Sequence, residues 1–209
     1  MIILVMIVSS TDCIRYSELK KENNVEIRKS DLPEEFSEKA FKLVDEFVKK
    51  THKLDYEVAL YFDYITGEVL SCSMGIFDNV KLKFNPDDYK DRHIASIHNH
   101  PQNVFSPPSD KNFGILQRDF EDYELIAGIN ELWILKAKGV DMGLCIELKL
   151  YSRTIMHYCQ NFCERHYGNS KKAMDICDER YGTSLSKYIN DKNLNNIQLV
   201  KKEINHDCN

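Results

Sequence analysis

His98-Asn99-His100-Pro101-Gln102-Asn103-Val104-Phe105-Ser106-Pro107-Pro108-Ser109-Asp110 follows directly on an apolar run, Ile94-Ala95-Ser96-Ile97. A short apolar run of this kind makes a buried strand. Side chains two apart in a strand share a face, so His98 and His100 aim both imidazoles at one point. Pro101 then ends the strand, because it has no N–H to give the ladder. The loop beyond carries Ser106, Ser109 and Asp110 and leads into a helical pattern from Asn112 to Phe120. His98, His100 and Asp110 thus form a three-ligand set for zinc. Three protein ligands leave the fourth tetrahedral position to water, which separates a catalytic zinc site from a structural one. Two histidines alone are a weak signal. The adjoining proline, the carboxylate and the apolar strand sharpen it.

The stretch resembles the signature of the JAMM (MPN-type) zinc metalloproteases, which reads Glu, then His-x-His-Pro, a short spacer, and Ser-x-x-Asp. The resemblance covers roughly residues 31–150. The His-x-His-Pro half matches without adjustment. In the second half the residue three before Asp110 is Pro107, so two registers stay open. Either Asp110 is the third ligand and the serine has moved to Ser106 or Ser109, or Ser109-Asp110-Lys111-Asn112 is the box and Asn112 takes the ligand's place. Asp110 is the expected ligand, because a neutral amide holds zinc poorly beside a carboxylate.

The resemblance implies an α/β fold: a mixed central sheet with flanking helices, layered as in cytidine deaminases. It also implies zinc-dependent hydrolysis of peptide or isopeptide bonds, with a protein or peptide substrate such as the tail of a ubiquitin-like modifier. A zinc ion there polarises a carbonyl and brings the pKa of its water towards ~7. A carboxylate must then take the water proton and pass it to the leaving amine. Glu57, at the start of the first strand after a long helix, stands where the family pattern places that base. Glu68 is the rival, in a turn beside Gly67. The family serine, here Ser109 or Ser106, donates to the oxyanion, a contact worth roughly 3 kcal/mol of barrier.

Three other classes compete. A catalytically silent MPN-type scaffold is kept alive by the displaced Ser-x-x-Asp box. A metal-dependent phosphoesterase or amidohydrolase needs more chain and more histidines after its first pair than follow His98. A RadC-like protein near DNA draws no support from charge. With Lys and Arg numbering 28 against 33 Asp and Glu, the net charge is −5, which argues against an electrostatic nucleic-acid surface.

Seven cysteines without CxxC spacing read as reduced thiols of a cytoplasmic protein. Met1-Ile-Ile-Leu-Val-Met-Ile-Val8 has no basic flank and no cleavage pattern, and it is too short for a bilayer, which needs ~20 apolar residues. No membrane partner is expected.

Along the chain, residues 1–30 read as an N-terminal segment, 31–150 as the catalytic domain and 151–209 as a helical extension with a polar tail. Ser30 or Asp31 with Pro33 starts a helix whose stripe is Phe36, Ala40, Leu43, Val44, Phe47 and Val48. Glu57–Phe62 and Val69–Met74 form a hairpin about Gly67. Val80–Phe84, Tyr123–Ile129, Leu132–Lys138 and Leu144–Leu150 read as further strands. Two helices follow, the second closed by Gly182, and Asp191–Asn209 frays. The helices pack on the sheet, on a partner or on a second subunit, which leaves self-association open. Cys159, Cys163, His166 and Cys177 share helical faces and invite a second metal reading, against which the cysteines read as small buried hydrophobes.

Overall fold

The computed structural model describes residues 11–21, 24–75, 85–101, 106–138, 140–168, 170–192 and 196–206. Val80–Phe84 and the apolar start of the chain lie outside them. In chain order the elements are α1 (Thr11–Ser17), β1 (Val25–Glu26), α2 (Glu38–Thr51), β2 (Val58–Asp63), β3 (Val69–Met74) and β4 (Ile94–Asn99). There follow β5 (Glu121–Ala127), β6 (Glu131–Ala137), α3 (Met142–Tyr167), α4 (Lys171–Asp191), β7 (Ile197–Glu203) and β8 (Asn205–His206).

Six strands make one mixed sheet in the order β3-β2-β4-β5-β6-β7, with only the β4–β5 pair parallel. Helices cover it, so the chain is α/β with flanking helices. One face carries Val58, Leu60, Phe62, Ala95, Ile97, Tyr123, Leu125 and Ile134, and α2 packs there through Ala40, Val44, Phe47 and Val48. Each Val, Leu, Ile or Phe among them, fully buried, stabilises the fold by ~1.5–3 kcal/mol. The opposite face carries Ile126, Trp133, Leu135 and Leu199 under α3 and α4 at its β6–β7 half. Towards β2 and β4 the same face turns polar, and there the histidines stand.

Helix α2 starts later than the sequence suggests. Ser37 caps it by accepting from Ala40 N–H at 3.1 Å. Asp31 is already engaged, accepting from the Arg28 N–H at 2.8 Å around a 3-10 turn at Lys29–Asp31. Phe36 therefore stays outside the helix and reaches the core, stacked on Tyr64 and edge-on to Phe62 and Tyr123.

Leu144–Leu150 is not a strand. Its leucines and isoleucine alternate at period two, yet the buried positions are Cys145 and Leu148, a helical spacing, while Ile146 and Leu150 face outward. Asp141 caps this helix by accepting from Leu144 N–H at 3.0 Å. Gly182 does not close α4 either. A Cβ at that position would stand 2.5 Å from the Trp133 ring, so the glycine lets α4 approach the sheet. Within the last stretch residues 197–203 do not fray: Ile197 and Leu199 turn inward and β7 pairs with β6. A boundary at Leu150 is therefore not a domain boundary, since α3 runs through it and the chain returns to the same sheet.

The expectation of reduced thiols is corrected at one pair. Cys13 and Cys72 are disulfide-bonded across 59 residues, fastening α1 to β3. Closing such a loop typically stabilises a fold by ~2–4 kcal/mol. Cys145, Cys159, Cys163 and Cys177 are free and buried. Among the described residues no helix is long and apolar enough to cross a membrane.

Candidate functional site

Strand β4 delivers the histidine pair. His98 stands on the strand opposite Ala59 of β2, and His100 follows it, its N–H bonded to Ala127 O at 2.9 Å. Their Nε2 atoms approach to 3.3 Å. Asn99, between them, points the other way. It accepts from Val58 N–H at 2.7 Å and donates to Tyr56 O at 3.1 Å, stapling the start of β2 to the end of β4. That staple sets the register beside the histidines. Extending the Ala59–His98 pairing by two residues brings Glu57, itself buried, level with His100. Glu68 is exposed and pairs with Arg92 at 2.9 Å, on the hairpin turn.

The second half of the site departs from expectation at Asp110. Its carboxylate accepts from Arg153 of α3 at 2.6 and 3.2 Å and is not brought to the histidines. Asn112 is. It opens a 3-10 turn, Asn112–Gln117, and its buried amide nitrogen stands 3.2 Å from His98 Nε2 and 3.0 Å from Glu124 Oε1. The orientation of that amide follows from its other side. Ser109 N–H, which can only donate, reaches Asn112 Oδ1 at 2.7 Å, and Ser109 Oγ adds a bond at 3.0 Å. The oxygen is thereby fixed on Ser109 and the N–H2 faces the imidazoles. Of the residues in the two registers, Ser109 and Asn112 are therefore the ones joined to each other and to His98. Ser106 sits apart, its N–H bonded to Asp178 of α4 and its buried Oγ without a partner among the described residues.

Glu124 was not foreseen. A charged residue inside the apolar run Tyr123–Ile129 is the signal that could have found it. Its Oε1 lies 3.6 Å from His98 Nδ1, and its Oε2 is buried without a hydrogen-bond partner among the described residues. An irregularity in the β4–β5 register, between Ile94 and Ala95, accompanies a second buried carboxylate, Glu121. Glu121 accepts from Ser96 Oγ and pairs with Arg118 at 2.7 Å. Burial first, and the nearby Glu121 second, push the Glu124 carboxyl up to about 8. Burial, then His100, holds the His98 imidazole well below its usual range, so it stays neutral.

Whether these residues suit the zinc that the resemblance implies is a question of donors. Two nitrogens each ~2.0–2.1 Å from a tetrahedral ion stand ~3.3 Å apart, so the His98–His100 pair suits one. The third position does not, because an amide N–H meets the His98 lone pair that a metal would need. Among the described residues no group of three His, Cys, Asp or Glu is arranged to hold a metal. With the Asn112 amide at the third position, the donors next to the imidazoles do not match the His98, His100 and Asp110 set expected for a catalytic zinc.

Comparison with family models, with curated proteins and with solved structures gives no match to this chain.

Proposed function

We propose that the chain is a JAMM/MPN-like module whose histidine site has lost its catalytic metal and which acts by binding a polypeptide partner. The observation that carries this reading is Asn112, which turns its amide nitrogen to His98 where the family signature has a carboxylate. Asn112 ties Glu124 Oε1, Ser109 and His98 into one polar network, which supports the amide as part of the site's own framework. The partner class, a protein or peptide of the ubiquitin-like kind, comes from the resemblance alone. The Cys13–Cys72 bridge favours an oxidising compartment over the cytoplasm expected from the sequence.

The second reading is the zinc-dependent metallopeptidase or isopeptidase. It is favoured by the 3.3 Å separation of the imidazole nitrogens, with Glu57 as base and Ser109 as oxyanion donor. Equilibrium dialysis against micromolar zinc separates the two. For the module, wild type and the double variant His98→Ala/His100→Ala take up the same small amount, far below one ion per chain. One zinc per wild-type chain, lost in the double variant, would overturn the metal-free reading and favour the peptidase one.

A further inference from the structure

We propose that the α3–α4 hairpin is a latch that sets the geometry of the histidine site, acting through Tyr181, Asp178 and Arg153 on the loop Ser106–Asn112. From Ser109 onward the loop is held by its own bonds: Ser109 N–H and Oγ meet Asn112 Oδ1, Lys111 N–H meets Ser109 Oγ and Asn112 N–H meets Ser109 O. Pro107 and Pro108 before it have no N–H to add. The position of that turn against the rest of the fold is set by the hairpin. Ser106 N–H donates to Asp178 Oδ2 at 3.1 Å. Pro108 O accepts from the fully buried Tyr181 hydroxyl at 2.5 Å, and that hydroxyl also meets Ser152 Oγ of α3 at 2.5 Å. Arg153 holds the Asp110 carboxylate, and Cys145 Sγ lies 3.6 Å from Phe113 O on the far side of Asn112.

The anchors bracket the two residues that complete the site. Ser109 and Asn112 stand between Pro108 and Phe113, so a shift of α4 along α3 moves the Pro108 carbonyl and with it the amide on His98. Tyr181, Asp178 and Arg153 touch neither imidazole; they are positioning residues. The inference concerns the placement of Asn112 and holds for either reading of the site, since the same loop would carry the third ligand.

The test is NMR of the intact protein, reading the His98 and His100 ring nitrogens and hydrogen exchange of the Asn112 side-chain amide. Tyr181→Phe keeps the ring and removes the hydroxyl. It is expected to shift the His98 Nε2 signal and to speed Asn112 amide exchange by about tenfold, the scale of one lost hydrogen bond. Arg153→Ala, at an exposed position, moves the same signals less. Tyr188→Phe is the control, because its hydroxyl meets Glu147 of the same hairpin away from the loop; it leaves the imidazoles where they are. If Tyr181→Phe does not fold, Arg153→Ala and Ser152→Ala decide. Folded variants whose His98 and Asn112 signals coincide with wild type overturn the proposal, and so does an equal shift in Tyr188→Phe.

Discussion

The two faces of the sheet are built to different ends. The face under α2 is mostly apolar, from Val58 and Leu60 to Leu125 and Ile134, with Phe36 wedged among Phe62, Tyr64 and Tyr123, and its buried Asn99 is bonded to the β2 backbone. The other face keeps an apolar half under α3 and α4 but gives its β2–β4–β5 end to His98, Ser96, Glu121 and Glu124. Burying two carboxylates there costs stability unless partners satisfy them, and removing one partner of such a set costs more than the set contributes. The contrast teaches where stability and function are separated: one face holds the fold, and the other spends part of its burial on a polar network. Changes on the first should move stability and leave the site alone. Changes on the second should move the site's chemistry and its pH response.

The largest effect is expected on the apolar face. Phe36→Ala removes a nearly fully buried ring and should cost ~3–5 kcal/mol in denaturant unfolding. The His98 ring signals should stay at their wild-type positions. A cost under about 1 kcal/mol, or a displaced His98 signal, would break the division between the faces.

What the sequence revealed follows the same division. The α2 stripe, the β2–β3 hairpin about Gly67 and the histidine strand were legible, because each depends on local periodicity or on one residue's backbone preference. Gly67 adopts φ 71°, as the turn requires. Leu144–Leu150 was misread because its alternation of apolar residues matches a strand while burial follows Cys145 and Leu148. The pairing of Asp110 with Arg153 was not legible, because Arg153 lies 43 residues away and no local pattern announces a long-range ion pair. The Cys13–Cys72 bridge, Asn99 and Tyr181 were missed for the same reason. Each acts on a segment that only the fold brings near. Asn112, which the motif offered as an alternative to Asp110, is the residue the fold brings to His98.

A smaller effect is expected from Glu124, and it depends on pH. The native chain keeps on Glu124 a proton that the unfolded chain releases near 4.5, and loses it only near 8. Between those values the native state binds more protons, so stability falls as pH rises and levels off above about 8. Asp178, raised to about 7 chiefly by burial, adds to the same slope. Glu124→Gln carries no titrating proton and should flatten the fall by roughly 2–4 kcal/mol between pH 5 and 8. Thermal melts of wild type and variant across that range measure it. Parallel curves would mean that the Glu124 environment is not as the two-face comparison has it.

The account rests most heavily on Asn112. Replacing one amide nitrogen by a carboxylate oxygen, in Asn112→Asp, supplies the missing anionic ligand beside two imidazoles already at zinc separation. Elemental analysis of the two proteins, purified side by side from zinc-supplemented medium, is the direct measurement. Asn112→Asp should carry about one zinc per chain, with affinity raised by roughly two orders of magnitude, the upper end of what ligand-supporting changes produce. The wild type should carry almost none. Stoichiometric zinc in the wild type, undiminished in Asn112→Ala, would contradict the claim that the third position is closed to metal.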